Sequence, residues 1–261
     1  MDIGEILTES IAYTKEALVG QWVRWLTFII LGLPVTLIGI LYQKEMLMGR
    51  TTTSLENFPW VEIVTLVIIG ILLSFFASGY VVRIYRGTKP APDFDNWGEL
   101  FFDGLKMVIV TLLWLLPVFI IILCVIGLAA GMAAAGPGSG SLLFLALILI
   151  GILVAIIIAI IVSLFSTMAV IRFARTGSIT EGLRFSKVKE HIGNIGWGNY
   201  IVAVVVLIVV RIVVAVIIVI PSLIPVVGDI VTLVVSPLLL VFTARYYTLV
   251  YDMAGEQPVS D

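Results

Sequence analysis

Six apolar runs, residues 26–41, 61–85, 107–130, 142–174, 201–220 and 230–251, decide what this chain can fold into. At about 1.5 Å per helical residue each approaches or exceeds the ~30 Å of a bilayer's hydrocarbon. Hydrophobic residues make up 61% of the 261 positions and charged ones only 12%. A soluble domain of this length has no core large enough to hide that much apolar surface. The expectation is an all-α polytopic membrane protein with six transmembrane helices arranged as three hairpins. A formal charge of −2, with no basic stripe interleaved with aromatics, gives nucleic acid nothing to bind. Asp2, Glu5 and Glu9 precede the first run where a signal peptide would need basic residues, so no cleaved leader is expected.

Between the runs lies a repeated pattern. Asp95-Asn96-Trp97-Gly98-Glu99-Leu100-Phe101 contains a polar residue, an apolar residue, a spacer and a glutamate. The same order occurs at Asp2-Ile3-Gly4-Glu5 and Ser178-Ile179-Thr180-Glu181. Asp2, Asn96 and Ser178 are expected as helix N-caps, with Glu5, Glu99 and Glu181 reaching back as in a capping box. Each copy opens a segment with apolar residues at helical spacing: Ile3, Ile6, Leu7, Ile11 and Leu18 in the first; Trp97, Leu100, Phe101, Leu105 and Val108 in the second; Leu183, Val188, Ile192 and Ile195 in the third. Amphipathic helices of this kind lie at a membrane interface. Each is followed by two spans, so the chain reads as a pseudo-threefold internal repeat with units of approximately 1–95, 96–177 and 178–261.

Charge asymmetry sets the expected orientation. Six spans put both termini and the second and fourth connections on one side. That side collects Lys15, Arg24, Arg83, Arg86, Lys89, Lys106, Arg172, Arg175, Arg184, Lys187, Lys189 and Arg245, against Lys44 and Arg50 opposite. The positive-inside rule makes it cytoplasmic, in a multi-pass protein of the cell membrane.

Few residues invite chemistry. His191 and Cys124 are single and far apart, so neither a zinc site nor a Cys/His nucleophile pair is supported. No catalytic, cofactor-binding or metal residue is expected. Arg211, deep in the fifth run, is the most informative position, because a charge at mid-span costs about 2.5–3.5 kcal/mol on insertion scales. Asp229, beyond the Pro221 turn, is its expected partner. A structural ion pair and an anion or substrate contact both remain open for the two. The pairs Arg83/Arg86 and Arg172/Arg175, each followed by glycine, are candidate contacts for lipid phosphates or simple anchors of helix ends.

One stretch resembles a known family. Gly79-Tyr80-Val81-Val82-Arg83 through Arg86-Gly87, then Pro92, Asp95 to Phe101 and Asp103-Gly104-Leu105-Lys106, is similar to the uncharacterised, mostly archaeal membrane proteins of domain of unknown function number 4013. The resemblance implies a multi-pass membrane protein and carries no functional residue with it. Function therefore rests on the residues themselves. They suggest a non-enzymatic integral membrane protein organising lipids or partner proteins, with membrane lipids, a membrane-protein partner or further copies of itself as partners. The alternative is a small-solute or ion transporter or channel with a polar site around Arg211 and Asp229.

Overall fold

A computed structural model describes residues 2–47, 59–134 and 142–255. All regular structure among them is helical: α1 (Ile3–Leu18), α2 (Trp22–Leu47), α3 (Trp60–Tyr85), α4 (Trp97–Ala134), α5 (Leu142–Thr176), α6 (Ile179–Leu183), α7 (Phe185–Ile195), α8 (Trp197–Ser222) and α9 (Val227–Asp252). Six of these, α2, α3, α4, α5, α8 and α9, are long and apolar enough to cross a membrane. The architecture is that of a multi-pass membrane protein. Most of the loop expected at 43–57 and most of the glycine-rich connector at 133–141 fall outside the described residues.

The segments between spans differ in form. Only α1 is a separate helix of full length. The second segment is simply the first turns of α4, continuous with the span, because nothing between Trp97 and Pro117 interrupts the backbone ladder. The third divides into α6 and α7 at Arg184. In α1 the buried residues are Ile6, Ser10, Tyr13, Thr14, Ala17 and Leu18, while Ile11 is exposed. Ser10, Thr14 and Ala17 make half of this packed side small, which suits the contact of α1 with α9.

Packing divides the chain into two units, Met1–Met107 with His191–Asp261, and Val108–Glu190. In the first, α9 is the hub, with α1, α2, α3 and α8 all against it. A third of its most apolar window is buried (33%), against none of that of α3. Burial gathers towards the end that carries the arginines. The buried residues of α3 begin only at Gly79, those of α8 are Tyr200, Ala203 and Leu207, and those of α9 cluster from Val241 to Val250. Beyond them Val61, Val64, Ile68, Ile212, Val216 and Ile217 point outward. In lipid, apolar side chains gain little by turning towards each other, so close packing forms where small residues or polar bonds draw helices together.

The second unit follows the same pattern. Val162, Phe165 and residues 168–171 of α5 are buried, whereas Leu145 to Ile161 largely face outward. Trp114 of α4 stacks on Phe165 with ring centroids 6.1 Å apart, and its indole N–H donates to the Gly182 carbonyl at 3.0 Å. Gly182 packs against Ala169 and Phe173, which fixes α6 on α5.

Two glycines set the spacing of α3 and α4. A Cβ on Gly79 would lie 2.0 Å from the Leu100 carbonyl oxygen, and one on Gly104 would lie 1.8 Å from that of Phe75. Both obstacles are backbone, so neither can swing aside. Gly79→Ala and Gly104→Ala should each force the helices apart and destabilise by at least the ~1–3 kcal/mol of ordinary overpacking. Gly98→Ala, with nothing within 4 Å, should be neutral. Thermal unfolding in detergent followed by size exclusion distinguishes the three; equal midpoints would refute the close approach.

Candidate functional site

Polar side chains concentrate where the spans meet the connecting segments, and there the arginines are paired. Arg83, in the last turn of α3, bonds Asp95 and lies 3.6 Å from Glu99. Arg86 reaches Glu99 at 3.3 Å and Asp103 at 2.6 Å. In the second unit Arg172 of α5 bonds Glu181 at 2.6 Å, and Arg184 meets the other oxygen of the same carboxylate at 2.7 Å. The hydrogen bond from Arg172 leads in holding the Glu181 carboxyl below the usual carboxylate range. Glycines in the left-handed region, Gly87 (φ 85°) and Gly177 (φ 68°), end α3 and α5 just past these arginines and turn the chain back towards them.

A third cluster joins α1 to α9. Arg245 is 2% exposed, bonds Glu9 of α1, and places its guanidinium 4.9 Å from the centroid of the Tyr13 ring. Lys89, in the connector after α3, bonds the same Glu9 oxygen. The Tyr13 hydroxyl donates to the Thr88 carbonyl at 3.1 Å, and burial pushes its phenol up to about 12. Burial by itself raises the Glu9 pKa, but the hydrogen bonds and charges of Lys89 and Arg245 outweigh it and leave the carboxyl below its ordinary 4.5. A shallow pocket of about 280 Å³ opens beside the cluster, lined by Glu9, Ala12, Tyr13, Glu16, Lys89 and Pro90. Arg24 of α2, bonded to Asp93 at 2.7 Å, ties the same connector to the first span.

These positions revise several sequence expectations. Glu5 does close a capping box with Asp2, whose N–H donates to it at 3.3 Å. Glu99 and Glu181 instead hold arginines; neither caps its helix. Asn96 has φ 46°, outside the extended region an N-cap adopts, and Ser178 makes no side-chain cap bond. Arg83, Arg86 and Arg172 are thereby engaged by carboxylates of the chain itself. Arg175 lies exposed in the last turn of α5. His191, the single histidine, stacks on Tyr251 at 3.7 Å and contacts its carbonyl at 3.0 Å.

Arg211 and Asp229 do not meet. Arg211 Nη2 lies 3.4 Å from Thr243 Oγ1, whereas Asp229 accepts from Gln43 Nε2 at 2.7 Å and rests against Gly39 of α2. The register explains the separation. If residue 211 faces 243 across an antiparallel hairpin, the partner of 229 is near residue 225, in the turn itself. Asp229 is thus about 21 Å along α9 from the level of Arg211. The Pro225-Val226 turn lies closer to Asp229 than Pro221 alone suggests, and Gln43 closes it by accepting the Val226 N–H at 3.1 Å.

Sequence reasoning missed Glu9 and Tyr13, although a signal for Glu9 existed. Counted from the expected caps, Glu9 stands seven residues after Asp2 just as Asp103 stands seven after Asn96, and both carboxylates bind arginine. Among the described residues no group of His, Cys, Asp and Glu is arranged to hold a metal ion. What the arrangement achieves chemically is neutralisation: it fixes polar segments onto span ends.

Removing one member of a buried pair strands the other charge, at a cost of about 3–5 kcal/mol, while apolar replacement of both is often tolerated. Glu9→Leu should therefore lower the unfolding midpoint markedly, and Glu9→Leu with Arg245→Met should recover most of the loss; a double variant as weak as the single would refute the coupling. The depressed carboxyl also fixes the acid response. Its contribution is intact above about pH 4.5 and vanishes as pH falls through the lower folded-state value. Hydrogen exchange of α1 should accelerate over that window, and Glu9→Gln should remove the pH step.

No curated protein and no solved structure matches the chain. A family model does, over residues 63–226, from α3 through α8 into the turn before α9. It takes in two of the three arginine–carboxylate clusters, those of Arg83/Arg86 and Arg172. The chain belongs to the family described as Protein of unknown function (DUF4013).

Proposed function

We propose that this protein is a non-enzymatic scaffold of the cell membrane, with both termini in the cytoplasm, that organises lipids or partner proteins around its spans. The observation that carries this reading is the division of labour between charge and apolar surface. The span-end arginines are occupied by the chain's own carboxylates, as with Arg83, Arg86, Arg172 and Arg245, which leaves them little capacity to move a substrate. The long flanks of α3, α4, α5 and α8 instead present contiguous Ile, Leu and Val outward. Such flanks suit contact with acyl chains and other spans.

The same clusters support the proposed pseudo-threefold repeat, with its frame shifted. The start of α4 packs on α3, α6 packs on α5, and α1 packs on α9. Each segment thus follows the span it packs on if the chain is taken as a circle, so α1 completes the unit that ends at α9. Transport through a polar Arg211–Asp229 site is the weaker reading, since the two side chains are apart.

Reconstitution in liposomes tests the choice. A scaffold should leave the flux of protons, chloride and phosphate at the level of protein-free vesicles, while raising lipid order by fluorescence anisotropy and retaining lipid in native mass spectrometry. Flux above background that Arg211→Leu abolishes would overturn the scaffold in favour of transport.

A further inference from the structure

Arg211 departs from the pattern that six other arginines of this protein follow. Arg24, Arg83, Arg86, Arg172, Arg184 and Arg245 each bond a carboxylate. Arg211 makes only a 3.4 Å contact to the Thr243 hydroxyl, too long for a charge-assisted bond. Its side chain is exposed, and around it Ile208, Val209, Ile212 and Val213 are exposed as well. The nearby Tyr85 and Tyr247 offer it hydroxyls and no carboxylate. A lone cation at this depth is unfavourable by a few kcal/mol unless an anion is brought to it.

The geometry points to a docking face on α8 for a transmembrane helix of another protein that carries a carboxylate near its middle. This inference rests on the scaffold reading and names the kind of partner it organises. Depth selects the partner. Arg211 is the fifteenth of the 26 residues of α8, about 21 Å from Trp197 and about 16 Å from Ser222. A headgroup phosphate stays outside the hydrocarbon, about 15 Å from its centre, whereas an Asp or Glu on a spanning helix sits at any chosen depth.

A second copy of this chain does not fit. Two α8 helices related by a twofold axis along the membrane normal would set Arg211 against Arg211. Among the described residues the acids within the spans lie near span ends: Glu45, Glu62 and Asp229 at the end opposite the arginine clusters, and Glu99, Asp103 and Asp252 at the clustered end. None of these lies at the level of Arg211, and Glu9, which comes nearest to it, is held by Arg245 and Lys89, so the described residues of a second copy offer no spare carboxylate there. The exposed neighbours of Arg211 are β-branched and short, a surface on which a helix can lie flat with little side-chain entropy to lose.

The test uses the full chain in phosphatidylcholine liposomes with a dye-labelled polyleucine helix of membrane length as probe, at densities too low for the helix to self-associate. Energy transfer is read for helices with Glu, Gln, Lys or Leu at the central position. The Glu helix should bind wild type at least about tenfold more tightly than the Leu helix, a difference of about 1.4 kcal/mol. Arg211→Leu should erase that preference, and Arg211→Glu should transfer it to the Lys helix. Equal binding of the Glu and Leu helices to wild type overturns the inference and needs no variant to fold. Retention of added phosphatidic acid by wild type but not Arg211→Leu, with loss of the Glu preference, also overturns it and assigns the anion to lipid. Either failure leaves the flux and lipid-order results standing, so the scaffold is judged separately.

Discussion

The structure depends on neutralising arginine at the ends of spans. An arginine there shares a boundary with hydrocarbon, where the effective dielectric falls and an unpaired charge becomes expensive. The chain meets that cost locally, with a carboxylate on the segment that packs against the same span. Guanidinium geometry suits this, because one planar fork can serve two carboxylates, as Arg86 serves Glu99 and Asp103. Conversely, one carboxylate can gather two cations, as Glu181 gathers Arg172 and Arg184, and Glu9 gathers Arg245 and Lys89. Charge pairing and helix docking become one event: the segment cannot leave its span without exposing the arginine unpaired.

That coupling accounts for the uneven burial. Within the first unit, aromatic rings and small residues pack behind the ion pairs: Tyr80 stacks on Phe94 at 4.6 Å, Phe28 meets both, and Gly79 and Gly104 bring α3 and α4 into backbone contact. Further along the spans nothing comparable draws the helices together. Branched aliphatic residues there are as well solvated by acyl chains as by each other. The bonded end therefore defines the fold, and the apolar remainder of each span is free to meet lipid or another helix.

Much of this was legible from the sequence, and the residues show why the rest was not. Hydropathy located the six spans because a bilayer demands continuous apolar length, and the observed helices extend them mainly at the ends. The match of Asp2 to Glu5 with Asn96 to Glu99 and Ser178 to Glu181 marked real junctions, yet pattern alone could not say what each glutamate bonds. A capping box and a salt bridge ask for the same residue at the same place. Only the position of the arginines, brought back by the turns at Gly87 and Gly177, decides between them. Asp229 was misjudged because depth was counted from Pro221, while α8 runs on to Ser222 and the turn is closed from α2 by Gln43. The Glu9–Arg245 pair spans 236 residues, so the offset that Glu9 shares with Asp103 marked the carboxylate but not which arginine it would meet.

The Arg245 pair also explains how Arg211 can exist in the same hairpin. The α8–α9 contact is anchored near the clustered end by Tyr246, whose hydroxyl donates to the Ala203 carbonyl at 2.8 Å, and by Arg245 held from α1. With the hairpin fixed there, the depth of Arg211 is imposed by the helix and not by its own bonding, because at 3.4 Å Thr243 offers it little. Side chains on α8 lean towards its N-terminus, so the guanidinium is drawn towards Thr243, Tyr247 and Tyr85 and still ends beside hydroxyls, with no carboxylate. A chain that supplies carboxylates to its other paired arginines, but none here, is built to accept the missing charge from outside.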